Sequence, residues 1–466
     1  MKKRLKNSFR LSMVLVGIGS AVMAQAQTFT TLHSFTGVEG AFSIDGAFPI
    51  GGLLLARGWI YGTTASGGNV TNGTVFKMKL DGTGFTNLYR FTTGGTDGAG
   101  PNGSLVLSGN TLYGTCAAGG SGGNGLVFAL NTDGTGFGVL HSFTNIDGAN
   151  PQAGLILVGN ALYGTTIVGG AGGSGTVFCL NTNGSGYTNL HSFTSEGPYP
   201  IGALLSLSDT LYGTTEGVFS GGNPITDRPG TIFSLNADGS AFTTLHTNGH
   251  PKAELILFGN TLYGTTAESF YTGEFGSVFK INTDGTGFSV LHAFTPTASS
   301  PQVNSDGADP EAGLILSGNT LYGTCVNGGS SGKGTIFAIN TDGSGFTNLY
   351  SFTGGSDGAY PFGSLIFSGH TLYGTASKGG SAGYGTVFSL TLPQPQLRIT
   401  PMGEYMVLTW PTNYAGVDYS GFTLQSKTNL AFSAWTTASP APVVVNGQYT
   451  VTNPITGTQQ FCRLSQ

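Results

Sequence analysis

Short apolar runs alternate with glycine-rich turns along most of the chain, and the same order of runs recurs. In residues 151–194 the runs are AGLILVG, ALYGTT, GTVFCL and YTNLHSF. Each has the length of a β-strand, and no window shows the 3.6-residue apolar period of a helix. The pairs Gly159-Asn160 and Asn183-Gly184 separate consecutive runs and favour tight turns. The pattern therefore predicts four short β-strands in each unit.

This unit recurs at intervals of roughly 50 residues, which is typical of the four-stranded blade of a β-propeller. The triplet Tyr-Gly-Thr marks each copy. It begins at Tyr61, Tyr113, Tyr163, Tyr212, Tyr263, Tyr322 and Tyr373. We therefore predict an all-β protein whose main domain is a seven-bladed β-propeller.

The fourth run of the unit, LHSF or a close variant, is displaced relative to the triplet. It begins at Leu32, Leu88, Leu140, Leu190, Leu245, Leu291 and Leu349. The first copy precedes the first triplet, and the last unit ends near Leu392 without a copy of its own. We therefore predict that TFTTLHSF, residues 28–35, supplies the outer strand of the seventh blade. Closing the ring in this way leaves no open end for another chain to pair with.

The two ends of the chain differ from the repeats. Residues 1–26 have the basic start, the short apolar run and the Ala-Gln-Ala ending of a secretion signal. We expect export to the periplasm, the cell surface or the medium. The propeller is predicted to occupy residues 27–392, and Pro-Gln-Pro-Gln at 393–396 is predicted to be a stiff linker. Residues 397–466 contain less glycine, and the runs YMVLTWP, GFTLQSKTNL, APVVVNGQYTVT and QQFCRL are predicted strands, with Asn446-Gly447 as a hairpin turn. These short strands favour a small C-terminal β-sandwich.

The repeat phrases also carry a family resemblance. GNxLYGTT, GGxxGxGTVF and NTDGTGFTxLHSF, as at 159–166 and 282–294, resemble the tandem repeats of exported proteins from Gloeobacter and Verrucomicrobia. The resemblance implies a secreted repeat domain joined to varied C-terminal segments, and it implies no established activity. The tail looks like the fibronectin-type or immunoglobulin-like tails of exported bacterial proteins, which implies surface association or sorting.

Charge and cysteine content narrow the classes of partner. Charged residues make up 8% of the chain, and the net charge is −5. No Lys/Arg cluster follows residue 26, which argues against nucleic acid or an anionic membrane as partner. No later run is long and apolar enough to span a bilayer. We also expect the protein to be a monomer. The four cysteines match no metal-binding spacing and are expected to be small buried hydrophobes without cofactor or metal.

Two polar residues are repeated in most units. Five crossovers between blades carry Asp-Gly-Ala-x-Pro, and five outer strands carry a histidine in LHSF. We favour a turn for the aspartates; the alternative is a ring of carboxylates around the axis that binds a cation or polyol. The histidines are expected to pack between blades with hydrogen bonds. These residues are Asp45, Asp97, Asp147, Asp306, Asp357, His33, His141, His191, His246 and His292.

Breaks in the repeat are better candidates for a specialised site. Loops 216–230, 267–276 and 295–313 are longer or different from their counterparts and should emerge on one face of neighbouring blades. Carboxylates beside aromatic rings suit carbohydrate or peptide ligands, whereas simple drift of surface loops is the alternative. The predicted ligand-binding residues are Glu216, Asp227, Arg228, Glu268, Tyr271, Glu274, Asp306 and Asp309.

Our leading hypothesis is an exported, non-catalytic propeller that binds a carbohydrate or protein partner through this face. A second hypothesis is a glycan hydrolase or lyase with a carboxylate pair among Glu216, Asp227, Glu268 and Glu274. A third is a purely structural cell-surface repeat protein. We assign no catalytic residue from the sequence.

Overall fold

The fold is described from a computed structural model. It describes residues 27–36, 44–68, 71–92, 94–194, 197–218, 228–247, 249–267, 275–297, 302–414, 417–419, 422–427, 434–454 and 460–465. These residues form β-strands joined by turns, and no helix occurs among them. The all-β prediction is therefore confirmed. No helix within the described ranges has the length and apolar character needed to cross a bilayer.

Seven four-stranded antiparallel sheets, here called blades 1 to 7, follow one another along the chain. Blade 1 has β2 (Leu54–Ala56), β3 (Trp59–Thr64), β4 (Thr74–Lys79) and β5 (Thr86–Arg90). Blade 2 has β6 (Val106–Ser108), β7 (Thr111–Cys116), β8 (Leu126–Asn131) and β9 (Gly138–Ser142). Blade 3 has β10 (Ile156–Val158), β11 (Ala161–Thr166), β12 (Thr176–Asn181) and β13 (Thr188–Ser192).

Blades 4 to 6 repeat this order. Blade 4 has β14 (Leu205–Leu207), β15 (Thr210–Val218), β16 (Arg228–Asn236) and β17 (Thr243–Thr247). Blade 5 has β18 (Ile256–Phe258), β19 (Thr261–Thr266), β20 (Ser277–Asn282) and β21 (Ser289–Ala293). Blade 6 has β22 (Ile315–Ser317), β23 (Thr320–Cys325), β24 (Thr335–Asn340) and β25 (Thr347–Ser351).

Blade 7 combines both ends of the repeat region. It contains β26 (Ile366–Ser368), β27 (Thr371–Ala376), β28 (Thr386–Thr391) and, as its outer strand, β1 (Thr28–Ser34), which pairs antiparallel with β28. Phe29 of β1 stacks on Tyr350 of blade 6 with ring centroids 4.1 Å apart. The Thr375 hydroxyl of blade 7 donates to the Gly51 carbonyl before blade 1 at 3.2 Å. The predicted closure by the N-terminal strand is therefore present.

Each member of the Tyr-Gly-Thr triplet has its own structural role, as blade 3 illustrates. Tyr163 packs into the apolar core shared with blade 4. A Cβ on Gly164 would lie 2.6 Å from Cζ of Phe178, so only glycine leaves room for that ring. The Thr165 hydroxyl donates to the Gly202 carbonyl of the next blade at 3.3 Å. The repeated triplet therefore joins each blade to the next.

The apolar core lies between neighbouring blades, and two of the four cysteines belong to it. Cys116 and Cys325 are fully buried, whereas Cys179 and Cys462 are half-buried, and all four are free thiols. The expectation of buried small hydrophobes thus holds fully for the first two. Burial raises the pKa of Cys116 and Cys325 well above the ordinary value, which keeps these thiols protonated.

The C-terminal region forms two main sheets that share one core. One has the order β29-β30-β36-β35, with β29 (Arg398–Met402), β30 (Tyr405–Pro411), β35 (Val443–Val445) and β36 (Gln448–Pro454). The other has the order β34-β33-β37, with β33 (Thr423–Lys427), β34 (Thr436–Thr437) and β37 (Phe461–Ser465). A short pair is formed by β31 (Asn413–Tyr414) and β32 (Val417–Asp418). Trp410 of β30 and Leu424 of β33 meet in the shared core, as expected for packed sheets.

The linker between the propeller and the C-terminal region is packed against the rest of the protein. Residues 392–397 form no strand, and Pro393 and Pro395 are buried. The buried Tyr419 lies in the core of blade 7 and donates its hydroxyl to the Pro393 carbonyl at 3.1 Å. The C-terminal region is thereby held against the last blade.

Candidate functional site

The seven blades enclose an axial cavity of about 170 Å³. Each blade contributes three residues that are separated from its innermost strand by one residue, here called the axial triplet. The triplets are Ile50–Gly52, Asn102–Ser104, Gln152–Gly154, Ile201–Ala203, Lys252–Glu254, Glu311–Gly313 and Phe362–Ser364. Among these fully described triplets, charged residues occur only in blades 5 and 6. The repeat pattern is therefore broken at the axis as well as in the loops.

Lys252 lies between two carboxylates from neighbouring blades. Its Nζ is 2.7 Å from Oε1 of Glu311 and 3.4 Å from Oε1 of Glu216. All three side chains are partly buried. Burial acts to lower the pKa of Lys252, but the two carboxylates outweigh it and hold this pKa above its ordinary value. The ammonium is therefore charged and fixed in place at neutral pH.

Glu311 has a raised pKa despite its contact with Lys252. Burial raises the pKa of Glu311, and the nearby carboxylate of Asp309 raises it further, whereas Lys252 lowers it. The result is a pKa above the ordinary value. We call Glu216, Lys252, Asp309 and Glu311 the mouth cluster. It contains three acidic groups and one ammonium, so it favours ligands that donate hydrogen bonds.

Glu254 lies in the same axial triplet as Lys252 but contacts a different blade. The Ser364 hydroxyl donates to its Oε1 at 2.8 Å and accepts from the Gly313 amide at 3.1 Å. A Cβ on Gly313 would lie 2.3 Å from Cγ of Glu254, so the glycine makes room for this side chain. Burial raises the pKa of Glu254, with the Ser364 hydrogen bond opposing the shift. A polar bridge therefore connects blades 5, 6 and 7 at the axis.

The predicted site residues separate into four groups. Glu216 and Asp309 belong to the mouth cluster. Arg228 is exposed at the start of β16, paired in register with Val218. Asp306 is nearly buried and contacts an outer strand instead. Asp227, Glu268, Tyr271 and Glu274 lie outside the described residues.

The aspartates of the Asp-Gly-Ala-x-Pro crossovers lie at the ends of the outer strands. At the crossover from blade 5 to blade 6, Asp306 accepts from the Thr295 amide at 3.0 Å and contacts Nε2 of His292, on the outer strand of blade 5, at 3.1 Å. The same arrangement holds for the other four. The position expected for them, around the axis, is wrong because their carboxylates are directed to the outermost strand. The turn interpretation is the one that their contacts support.

All seven outer-strand rings also stack on the following blade: the five that contact an aspartate, together with His191 and His246. The ring centroids of the seven stacked pairs are 3.6 to 4.1 Å apart. The pairs are His33–Phe85, Tyr89–Phe137, His141–Tyr187, His191–Phe242, His246–Phe288, His292–Phe346 and Tyr350–Phe29. The prediction that these histidines pack between blades is confirmed, and the predicted hydrogen bond is present for His33, His141 and His292.

Sequence reasoning missed Lys252 and Glu254. Loop length had directed attention to the segments before and after them. The signal was nonetheless present, because PKAE at 251–254 is the one unit with two charges where the others have one or none, as in PQAG and PIGA. Within the described ranges, no three His, Cys, Asp or Glu side chains come together as a metal centre requires.

Solved structures similar to this chain include an oligogalacturonate lyase from Vibrio parahaemolyticus, with 10% identity and a TM-score of 0.49 over 78% of this chain and 94% of that one. A putative 6-phosphogluconolactonase from Bacteroides uniformis has 14% identity and a TM-score of 0.44 over 75% and 91%. A nidogen/laminin complex has 18% identity and a TM-score of 0.38 over 54% and 81%. At these values none of the three bears on activity.

Sequence comparison with curated proteins finds no match. The family model described as the Gloeobacter/Verrucomicrobia repeat matches residues 19–156, 92–249 and 229–400. The three matches together span the whole propeller. The chain therefore belongs to the Gloeobacter/Verrucomicrobia repeat family.

Proposed function

We propose that the protein is an exported, non-catalytic propeller that binds a carbohydrate or protein partner at the mouth cluster and the loops beside it. The observation that carries this proposal is the coincidence of two breaks in the repeat. The axial triplets that bear charge belong to blades 5 and 6, and the irregular loops belong to blades 4 to 6. We further propose that the C-terminal region serves surface association or sorting.

The chemistry of the mouth cluster supports a ligand rich in hydrogen-bond donors. Carboxylate oxygens accept from hydroxyl or amide groups, and the Lys252 ammonium donates to a ligand oxygen. Because Lys252 is already held by Glu311 and Glu216, little side-chain freedom is lost when a ligand binds. This preorganisation lowers the entropic cost of binding a ligand.

A glycan array and a surface-extract capture with the mature chain test the proposal. Glu216→Gln and Glu311→Gln should each lower the captured signal by about tenfold, because hydrogen bonds to charged groups are the strong ones. Asn102→Ala changes an uncharged axial triplet on another blade and is the matched control. Undiminished capture by both glutamine variants would rule out the mouth cluster as the site.

A glycan hydrolase or lyase is the second candidate function. It is favoured by one observation: Glu216 and Glu311 contact the same ammonium, and the pKa of Glu311 is raised. A carboxyl group whose pKa is raised by burial is suited to act as a general acid. Incubation with polysaccharides, followed by assay for new reducing ends or unsaturated uronates, decides the matter. If neither products nor binding are detected, the purely structural role remains.

A further inference from the structure

A second cavity, of about 540 Å³, lies where the C-terminal sheet meets the linker. Its volume is within the range of about 300–1,000 Å³ found for small-molecule sites, and such sites favour domain junctions. Most of its lining residues carry polar side chains, although more of the lining surface is apolar than polar. The lining residues are Gln394, Gln396, Arg398, Thr409, Pro411, Tyr419 and Gln448. We call this the junction cavity.

The strand register places part of this lining on one face of the sheet. Arg398 of β29 pairs with Thr409 of β30, and Pro411 of β30 pairs with Gln448 of β36. Paired residues on adjacent strands point to the same side, and so do residues two apart on one strand. Trp410, between Thr409 and Pro411, points the other way into the core. The four therefore form a patch opposite the core that is polar except for Pro411.

The linker supplies the rest of the wall through its own alternation. Pro393 and Pro395 are buried, and Leu397 packs against the C-terminal core. In an extended chain the intervening residues point to the opposite side. Gln394, Gln396 and Arg398 are those intervening residues. The segment is thus a wall of the cavity rather than only a spacer.

The cavity is held in shape by contacts to the propeller. Tyr419 is buried in the core of blade 7, and its hydroxyl donates to the Pro393 carbonyl at 3.1 Å. These contacts fix the linker against the sheet. A preformed cavity of this kind binds without first ordering its walls.

The charge of the lining indicates an anionic ligand. Arg398 is the one charged residue among the lining residues, and it is exposed. None of the ion pairs found among the described residues involves it. A guanidinium presents two parallel donors that match a carboxylate. Its charge is therefore available to a ligand.

The neutral residues indicate a ligand with many hydroxyl groups. The amides of Gln394 and Gln448 each carry two donors and an acceptor, which suits a hydroxyl that both donates and accepts. Pro411 contributes apolar surface of the kind that packs on a sugar ring. We propose that the junction cavity binds an acidic saccharide, with Arg398 on the carboxylate of a hexuronate and the glutamines on its hydroxyls. This site is separate from the mouth cluster.

Calorimetric titration of the mature chain tests the proposal. The probes are trimannuronate, trigalacturonate and triglucuronate. Each is compared with its carboxyl-reduced neutral trisaccharide. We expect at least one acid to bind and its neutral counterpart to bind about tenfold more weakly, because the charge-assisted hydrogen bond is lost. Arg398→Gln should weaken binding of the acid by about the same factor. Gln448→Ala should also weaken binding of the acid, without changing the charge of the cavity.

Two control variants establish that the acid binds in the junction cavity. Lys79→Gln removes an exposed cation from blade 1 and should leave the affinity unchanged. Glu216→Gln alters the mouth cluster and should leave it unchanged as well, so failure of this proposal is distinguishable from failure of the proposed function. Binding of no acid, equal binding of acid and neutral counterpart, or unaltered binding by Arg398→Gln would overturn the proposal.

Discussion

Removing one carboxylate of the repeated crossover should destabilise the propeller without affecting ligand binding. Asp147 accepts from the Thr144 amide at 2.8 Å and from its hydroxyl at 3.0 Å, and it contacts His141 Nε2 at 2.9 Å. Its side chain is 24% exposed, so solvent weakens these contacts only in part. We expect Asp147→Ala to lower the free energy of unfolding by about 2 kcal/mol.

The same contacts predict a pH dependence of this difference. Burial acts to raise the pKa of Asp147, but the hydrogen bonds from Thr144 and the contact with His141 outweigh it, so the pKa lies below the ordinary 3.8. A depressed pKa stabilises the fold above the unfolded-state value, and this stability is lost as pH falls through the folded-state value. The gap between wild type and variant should therefore be full at pH 7 and largely closed at pH 2.

Urea unfolding followed by tyrosine fluorescence and circular dichroism, repeated across this pH range, measures the gap. The conservative variant Asp147→Asn keeps one acceptor oxygen and should lose less than Asp147→Ala. A gap below about 0.5 kcal/mol at pH 7, the scale of ordinary surface substitutions, would refute the structural role. So would a gap of equal size at pH 7 and pH 2.

Three further outcomes follow from the structure. Phe29→Ala should cost about 3 kcal/mol in urea unfolding because it removes a stacked ring between blades 6 and 7, whereas the exposed Thr30→Ala should cost little. Gly164→Ala should cost about 1–3 kcal/mol by overpacking, seen as a lower unfolding midpoint with the fold retained. Glu254→Gln should be at least as stable as wild type at pH 7. Because the Glu254 pKa is raised above 4.5, wild type loses stability as pH rises through that value, and the two should converge at pH 3.

The propeller could be predicted from the sequence because each repeat has recognisable turn residues between its strands. The Gly159-Asn160 turn and the four runs around it became β10 to β13 with no change of order. The displaced LHSF phrase was enough to assign β1 to the last blade. In each case the repeated phrase determined which strand pairs with which, so counting was sufficient.

The sequence did not show how far each crossover residue lies from the propeller axis. Asp306 and the axial Glu311 are only five residues apart in the chain, yet one contacts the outer strand and the other the central cavity. A crossover runs from the outermost strand to the innermost, so neighbouring residues lie at very different radii. Lys252 and Glu254 were missed for this reason.

The C-terminal region was predicted less completely. The Asn446-Gly447 hairpin is present, with both residues at positive φ, 51° and 72°. β29 was not predicted, because all five of its residues are exposed and one is Pro401. Proline is tolerated at a sheet edge, where β29 lies. Such an edge strand has no apolar alternation to reveal it.

Ring closure is the claim on which the axial cavity and the mouth cluster both depend, and a cross-link tests it directly. Thr28 of β1 pairs with Thr391 of β28 in the antiparallel register. In Thr28→Cys/Thr391→Cys, mild oxidation should form an intramolecular disulfide between these two positions, identified by peptide mass spectrometry. Thr28→Cys/Thr188→Cys places the second thiol on the outer strand of blade 3 and should form none. Absence of the first disulfide, or its formation only between molecules, would contradict closure of the ring by the N-terminal strand.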